Sequence, residues 1–305
     1  MKNKEIKIRM SNNFTLQRRV ISHMTLLSWQ TIPHVSYVYE ADITDFYKEF
    51  VYFSKKNLKV SFNTIMIKVI VEGLLKSPKL NSHVEYNPKK TAGTIHILDE
   101  INISLPWLLS NGTMITPCLI NAEKMSLKEL SIYMSTLSNR IEKTNVDEML
   151  YKAVYNDTIH ELKKLNWGIF RRVLASKIGK NKVAGLKNEE KQKYYSIPEN
   201  ERLTEDNIMK GTVTISNIGS LYKEQKGFFT LLEIIPPQVF AIGIGAIQEK
   251  PGVFLDINGQ KEIGIRKILP MCLAFDHRAI DFNDIIPFIK TLDKTFETPN
   301  IIKNW

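Results

Sequence analysis

The feature that most constrains this chain is an apolar, strand-like run that ends abruptly in three ionisable residues. The run is Met271-Cys-Leu-Ala-Phe275 and is followed by Asp276-His277-Arg278. A second carboxylate, Asp281, lies four residues after His277. A histidine at the end of a buried strand, with an acid close by, is a candidate general base, and a surface turn with ordinary charges is the alternative. The rest of the chain has to decide between them.

Composition is that of a soluble globular protein, because 43% of the 305 residues are hydrophobic and 24% are charged. The N-terminus shows no signal-like apolar stretch, and the best apolar segment, residues 62–75, is too short to cross a bilayer. We therefore expect a cytoplasmic protein, with Cys118 and Cys272 as buried thiols rather than a disulfide pair. The spacing of histidines and cysteines predicts no metal site.

The net charge of +10 is distributed unevenly along the chain. Ten Lys or Arg and three Glu fall between His160 and Lys193, whereas the remainder is close to neutral. This distribution argues against a general nucleic-acid-binding surface, and no nucleic-acid motif supports one. We therefore expect no nucleic-acid partner.

Hydrophobic periodicity divides the chain into helices and strands. Helices are predicted over residues 14–29, 44–56, 63–77, 126–143 and 285–296, the last of them capped by Asp281 or Asn283. Strands are predicted over residues 34–43, 83–86, 94–98, 101–105, 114–120, 211–217, 238–247, 253–256 and 266–275. Residues 145–207 show helical periodicity only. The mixture predicts an α+β sandwich in which helices cover one sheet.

Five segments, in the same order along the chain, resemble the catalytic domain of the dihydrolipoamide acyltransferases of 2-oxoacid dehydrogenase complexes. The signature is Asp276-His-Arg-Ala-Ile-Asp281. The other four segments are residues 28–42, which begin Ser-Trp-Gln-Thr-Ile-Pro-His-Val, residues 78–81 (Pro-Lys-Leu-Asn), residues 112–127, and residues 211–243, which begin Gly-Thr-Val-Thr-Ile-Ser-Asn-Ile-Gly. The resemblance implies a chloramphenicol acetyltransferase-like two-layer sandwich, with a mixed sheet covered by helices. It implies one catalytic domain over residues 1–305, with a basic helical insertion at 150–207.

Acyl transfer between two thiols needs a base for the attacking thiol and a hydrogen-bond donor for the oxyanion. Thiols titrate near pH 8.5 and imidazoles near 6.5, so a neutral histidine can take the thiol proton. By resemblance His277 is this catalytic base, and Ser216 donates to the oxyanion; a serine that bonds locally within its strand is the alternative. Asp281 matches a position that shapes the histidine loop. The resemblance implies an arginine partner for it, Arg18 or Arg19.

His34 belongs to the Thr-Ile-Pro-His segment, but a histidine at the start of a strand is more often structural, and we assign it no catalytic role. Asn217 and Gly219 are predicted to form the turn after the serine strand, with positive φ at Gly219. Asn217 is also assigned to the substrate channel, together with Phe282. Phe282 stands where the family usually has Gly, so it either reshapes the loop or narrows the channel beside His277.

The resemblance also implies substrates and assembly. Coenzyme A or acyl-coenzyme A is a substrate, and no cofactor is permanently bound. Such acyltransferases are homotrimers whose active site lies between subunits, with the histidine from one and the serine from its neighbour. No lipoyl domain is recognisable within residues 1–305. The acceptor is therefore expected to be a free thiol, a separate lipoyl or acyl carrier protein, or an amine.

Three functions stay open from the sequence. The first is a stand-alone, coenzyme A-dependent acyltransferase. The second is the acyltransferase core of a 2-oxoacid dehydrogenase complex whose lipoyl domain is supplied by another chain. The third is a non-catalytic assembly homologue, and the presence of His277, Ser216 and Asp281 argues against it.

The basic insertion has three interpretations. It is a helical hairpin with a solvated basic face, a docking site for an acidic carrier protein or the phosphates of coenzyme A, or a membrane contact. The docking interpretation uses four basic side chains, Lys163, Lys164, Arg171 and Arg172. The membrane interpretation uses three apolar ones, Trp167, Ile169 and Phe170.

Overall fold

The chain divides into two compact units. The structure, a computed structural model, describes residues 7–56, 60–109, 112, 114–152, 186–256 and 258–305. The smaller unit comprises Met1–Met24 and Asn145–Ser196, and the larger comprises Thr25–Thr144 and Ile197–Trp305. The basic and apolar side chains assigned to the insertion all lie outside the described residues. The extent of the catalytic domain and of its insertion therefore stays a prediction.

The predicted order of helices and strands is largely confirmed. The helices are α1 (Leu16–Thr31), α2 (Thr44–Lys56), α3 (Phe62–Lys76), α4 (Leu127–Glu142), α5 (Asn188–Tyr195), α6 (Asp206–Met209) and α7 (Phe282–Glu297). The strands are β1 (His34–Asp42), β2 (Ser82–Asn87), β3 (Ala92–Ile97), β4 (Ile103–Ser104), β5 (Trp107–Leu108), β6 (Met114–Ile115), β7 (Cys118–Leu119), β8 (Val213–Asn217), β9 (Phe240–Ile244), β10 (Gln248–Leu255) and β11 (Lys261–Asp276). Both β10 and β11 begin five residues earlier than predicted.

The main sheet is mixed, as predicted. Its strand order is β1-β11-β9-β8-β4-β7, and β10 pairs with β11 outside this path. Strand β8 runs parallel to both β4 and β9, and the other pairs are antiparallel. Strands β2 with β3 and β5 with β6 form two small separate sheets.

Alternation along β11 separates the two faces of the sheet. Leu269, Leu273 and Phe275 point to one face and join the large apolar core, to which α2, α3 and α7 also contribute. Ala274 points to the other face, where it packs in a small cluster with Ile234. We refer to these as the helix side and the far side of the sheet.

Local signals set the ends and the spacing of the helices. Ser126 caps α4 through a reciprocal capping box with Glu129. A Cβ atom at Gly73 of α3 would lie 2.6 Å from the ring of Phe288 in α7, so this glycine allows the two helices to approach closely. Among the helices that the structure describes, none is long and apolar enough to cross a membrane.

Candidate active site

A buried ion pair shapes the turn that carries His277. Asp276, the last residue of β11, is fully buried and accepts from the guanidinium of Arg278 at 2.6 and 3.0 Å. Its carboxylate also accepts the Arg278 backbone N–H at 2.9 Å, and its carbonyl accepts those of Ala279 and Ile280. These bonds close the turn, whereas the side chain of His277 stays 52% exposed.

The hydrogen bonds of His277 determine its tautomer. Its Nδ1 lies 3.1 Å from the carbonyl oxygen of Ile280 and 3.5 Å from Oδ1 of Asp281. A carbonyl oxygen can only accept, so Nδ1–H is the donor, and Nε2 of the neutral ring keeps its lone pair. The ring packs edge-to-face on buried Phe275, with the centroids 6.0 Å apart. In its neutral form His277 therefore presents, at Nε2, the unprotonated nitrogen that a general base needs.

Asp281 is the N-cap residue of α7, as predicted. Its backbone N–H donates to Oδ2 of Asp284 at 2.9 Å, and this carboxylate lies 2.8 Å from the Lys79 ammonium. Burial favours a higher pKa for Asp284, but the hydrogen bonds from Lys79 and Asp281 outweigh burial and hold the pKa below its usual range. The start of α7, and with it the Asp281 carboxylate beside His277, is anchored by these bonds.

Ser216 lies on the far side of the sheet. Its neighbour in β8, Ile215, belongs to the large core on the helix side, so alternation directs Ser216 the other way. The residue is half-buried. Within the described part of the chain its hydroxyl has no hydrogen-bond partner. The alternative role for Ser216, a hydrogen bond within its own strand, is therefore not found among the described residues.

The turn after β8 corrects one prediction. Asn217 holds this turn, because its side chain accepts the Ser220 N–H at 3.0 Å and donates to Asn63 at 2.9 Å. Gly219, however, does not have positive φ. A Cβ atom there would lie 2.2 Å from the carbonyl oxygen of Gly245. The glycine is needed because two backbones approach closely, and the prediction of positive φ was wrong.

Strand register separates Ser216 from His277 within one chain. Ser216 is in register with Gly243, which is in register with Cys272, five residues before His277. With about 3.4 Å per residue and about 4.8 Å between strands, their Cα atoms are roughly 19 Å apart. Side chains as short as these cannot act on one carbonyl group across that distance. The structure thus places both residues on the same sheet but does not bring them together.

The sequence of this chain matches a known family. Residues 5–150 and 181–303 fit the model of the 2-oxoacid dehydrogenases acyltransferase (catalytic domain). The chain belongs to this family. The match leaves out residues 151–180, which fall within the predicted insertion.

Individual acyltransferases support the assignment. The acetyltransferase component of the pyruvate dehydrogenase complex from Corynebacterium glutamicum is 21% identical over 288 residues, covering 93% of this chain and 33% of that protein. The same component from Mycobacterium tuberculosis is 38% identical over 95 residues, covering 31% of this chain and 16% of that protein. The chain thus spans a third or less of the length of these two relatives.

Solved structures of acyltransferases confirm the predicted α+β fold. The cubic core of the pyruvate dehydrogenase multienzyme complex has a TM-score of 0.64 at 18% identity, covering 99% of this chain and 96% of that chain. A probable dihydrolipoamide acetyltransferase from Listeria monocytogenes has a TM-score of 0.61 at 19% identity, covering 95% of both chains.

His34 and Phe282, two further residues of the segments that resemble the acyltransferases, both make specific contacts. His34 uses both ring nitrogens: Nδ1–H donates to the Ile32 carbonyl at 2.9 Å, and Nε2 accepts the Ile234 N–H at 3.1 Å. A structural role for His34 agrees with this arrangement. Phe282, the first residue of α7, packs edge-to-face on Tyr37 of β1 with the ring centroids 5.4 Å apart. Its assignment to a substrate channel stays a prediction.

The arginines predicted to pair with Asp281 lie in α1, within the smaller unit. There Arg19 donates through Nε to the Phe14 carbonyl at 3.3 Å, and the Arg18 N–H donates to Thr15 Oγ1 at 3.2 Å. Their pairing with Asp281 stays a prediction.

Neither cysteine is suited to act as a nucleophile. Burial raises the pKa of the Cys272 thiol to about 11 and also raises the pKa of Cys118 above its usual range. Both thiols therefore stay protonated near neutral pH, and a thiolate is the reactive form of cysteine. This supports a mechanism without an acyl-cysteine intermediate.

The sequence reasoning missed the role of Asp276 and Arg278. It treated them as members of a signature, whereas the structure makes them the ion pair that forms the His277 turn. Their spacing carried a usable signal, because an Asp at the start of a tight turn commonly accepts a hydrogen bond from the backbone N–H two residues on, as Asp276 does from Arg278. A carboxylate at the end of a fully apolar strand must also find a partner.

Proposed function

We propose that this chain is a coenzyme A-dependent acyltransferase that moves an acyl group from a thioester to a thiol or amine acceptor. His277 acts as general base, and Ser216 from another copy of the chain stabilises the oxyanion. One observation carries the proposal: the Nδ1–H of His277 donates to the Ile280 carbonyl, which leaves Nε2 free to accept a proton.

The reaction with a thiol acceptor proceeds through one tetrahedral intermediate. Nε2 of His277 takes the thiol proton as the sulfur attacks the thioester carbon. The carbonyl oxygen becomes an oxyanion and accepts a hydrogen bond from the Ser216 hydroxyl, worth about 3–4 kcal/mol in sites of this kind. When the intermediate collapses, the carbon–sulfur bond to coenzyme A breaks and the imidazolium returns its proton to the leaving thiolate. The Ile280 carbonyl and the Asp281 carboxylate stabilise the imidazolium in between.

The separation of the two residues supports a site between copies. A carbonyl group in contact with Nε2 of His277 lies far from the Ser216 hydroxyl of the same chain, about 19 Å by Cα positions. A homotrimer with three shared sites, as the family resemblance implies, gives each histidine a serine from its neighbour. The unpartnered hydroxyl of Ser216 is then available to the substrate.

A second candidate is the core of a 2-oxoacid dehydrogenase complex. It is favoured by the relatives, which are components of pyruvate dehydrogenase and 2-oxoglutarate dehydrogenase complexes. In that case the acceptor is the lipoyl group of a separate protein. A free thiol, an acyl carrier protein or an amine remains the acceptor under the first candidate.

An acyl-transfer screen tests the proposal. Acetyl-, succinyl- and longer acyl-coenzyme A donors are combined with dihydrolipoamide, a lipoylated domain, an acyl carrier protein and simple amines, and release of free coenzyme A is followed. We expect turnover with at least one pair. Preference for the lipoylated domain selects the complex-core function. No turnover with any pair by a correctly folded protein contradicts the proposal.

Ser216→Ala is expected to lower kcat by roughly 100- to 1000-fold, because one oxyanion donor is lost. KM for the acyl donor should change little, since the hydroxyl acts mainly in the transition state. Ser135→Ala, an exposed serine in α4, is the matched control and should keep full activity. A loss of less than threefold in the Ser216 variant removes this residue from the oxyanion role.

Phe282→Gly is expected to widen the range of acceptors. If the ring narrows the channel beside His277, its removal should lower KM for a bulky acceptor by about 10-fold while leaving a small thiol unaffected. Phe282→Leu keeps apolar bulk at the start of α7 and serves as the control. Equal changes for small and bulky acceptors would show that Phe282 shapes the loop and not the channel.

A further inference from the structure

Lys79 is distant from His277 in sequence but pairs with the helix that begins beside it. Its ammonium group lies 2.8 Å from Oδ2 of Asp284, a residue in the first turn of α7 and 205 positions further along the chain. The two side chains are 35% and 24% exposed, so water and salt screen this pair less than a fully exposed one. The pair therefore ties the start of α7 to a separate part of the fold.

The peptide group that joins Ile280 to Asp281 connects this ion pair to His277. Its N–H donates to Oδ2 of Asp284 at 2.9 Å. Its C=O accepts the Nδ1–H of His277 at 3.1 Å. Because a peptide group is planar, the direction of its N–H fixes the direction of its C=O. The Asp284 carboxylate thus holds in place the acceptor that determines the tautomer of His277.

The segment that carries Lys79 is itself well anchored. It forms a 3₁₀ turn over Pro78–Leu80, and Leu80 is fully buried in the large core. The hydroxyl of buried Ser82 donates to the Lys79 carbonyl at 2.7 Å. The amide of Asn81, also buried, donates to two carbonyl groups at 2.8 and 3.0 Å. The Lys79 ammonium is therefore presented from a fixed position.

The charge on Lys79 strengthens the hydrogen bonds that lead to the imidazole. It helps to keep the Asp284 carboxylate ionised against the effect of burial. An ionised acceptor forms a shorter and stronger hydrogen bond than a neutral one, and hydrogen bonds in series polarise one another. The Ile280 carbonyl becomes a better acceptor for Nδ1–H when the N–H of the same peptide group is bound to a carboxylate.

We infer that Lys79 is a positioning residue for His277, acting through Asp284 and the Ile280–Asp281 peptide group. The inference rests on the proposed function, in which Nε2 of His277 takes the proton of the attacking thiol. Keeping the other proton on Nδ1 is what leaves Nε2 available. Without the ammonium, the Asp284 carboxylate turns more readily to solvent, and the peptide group loses its fixed direction.

Lys79→Met keeps much of the apolar stem and removes the charge. We expect kcat to fall about 5- to 10-fold while KM for the acyl donor stays nearly unchanged, because His277 is misaligned and the donor site is intact. Lys79→Arg restores a charged donor and should recover most of the lost kcat. Lys48→Met removes the ammonium of an exposed pair with Asp45, also at 2.9 Å, and as the control should keep the wild-type kcat.

A His277→Ala background separates positioning from a general loss of structure. If Lys79 acts through the imidazole, Lys79→Met should not lower the residual kcat of the His277→Ala protein any further. A general structural role would lower kcat in both backgrounds. Asp284→Ala should lower kcat at least as much as Lys79→Met does, and combining the two should cost no more than about a further twofold, since both act on one path.

Amide hydrogen exchange, followed by mass spectrometry, gives a readout that does not depend on activity. We expect the peptide covering residues 277–286 to exchange about 10-fold faster in Lys79→Met than in the wild type, because the Asp281 N–H loses its fixed acceptor. Peptides from α4 should exchange at the wild-type rate.

The outcomes separate this inference from the proposed function. Wild-type kcat together with wild-type exchange of residues 277–286 in Lys79→Met overturns the positioning role and leaves the chemistry of His277 standing. An equal loss of kcat with and without His277 also overturns it and assigns Lys79 to the fold. Faster exchange in Lys79→Met, when the wild type transfers no acyl group to any acceptor, supports the positioning of the imidazole and overturns the proposed function alone.

Discussion

His277→Ala should lower kcat by roughly 10²- to 10⁴-fold, the range typical for loss of a general base. The methyl group cannot take the proton of the attacking thiol, and no described side chain replaces Nε2, since both ring nitrogens of the nearby His34 are already occupied. The fold should be unchanged, because the His277 imidazole is half-exposed and its polar contacts, with the Ile280 carbonyl and the Asp281 carboxylate, are local. Steady-state kinetics with a saturating acyl donor measures the effect.

A matched control separates chemistry from the loss of a histidine as such. His96→Ala removes an imidazole from β3 that is half-exposed like that of His277, and it should leave kcat unchanged. Combining His277→Ala with Ser216→Ala should cost much less than the product of the two single losses, because residues that act on one intermediate are not additive. Full activity in the His277 variant would contradict the mechanism. If the loss of kcat in the double variant equals the product of the two single losses, the two residues serve separate steps.

The fold could be predicted where a residue pattern is compatible with only one local structure. The helix predicted over residues 126–143 is found as α4, which Ser126 caps, and Asp281 predicted the cap of α7. The early start of β11 was missed, although Ile263 and Ile265 alternate with Glu262 and Gly264 in the period of a strand. How far such an alternating run joins the sheet depends on its pairing with β10, a register that sequence spacing does not contain.

The residues of the candidate site were proposed from the sequence, but their arrangement was not. The resemblance supplied His277, Ser216 and Asp281 together with the roles expected of them, and these roles stay predictions. The distance between His277 and Ser216 depends on the registers of two strand pairs, which sequence spacing does not contain. Likewise, Gly219 carried the signal for a glycine, but whether φ or close packing required it depends on Gly245, which is distant in sequence.

Asp276→Ala is expected to have the largest effect on stability, at a cost of about 3–5 kcal/mol, because it leaves the mostly buried guanidinium of Arg278 without its carboxylate. Activity should fall as well, since the turn that aligns Nδ1 of His277 with the Ile280 carbonyl loses its anchor. Urea denaturation and kcat are measured on the same preparations. The double variant Asp276→Ala/Arg278→Met removes both charges and should recover much of the stability, because a missing pair costs less than an unpaired charge.

Comparing the urea midpoint with kcat in the double variant distinguishes a structural role of the Asp276–Arg278 ion pair from a role in positioning His277. If it only holds the fold, kcat should recover together with the urea midpoint. If it positions the histidine, stability returns while kcat stays low, and the pH dependence of kcat changes because Nδ1–H no longer has a fixed acceptor. We expect the second pattern, since the Asp276 carboxylate also accepts the Arg278 backbone N–H and methionine at 278 cannot replace that acceptor. An Asp276→Ala protein with wild-type stability and kcat would contradict both roles.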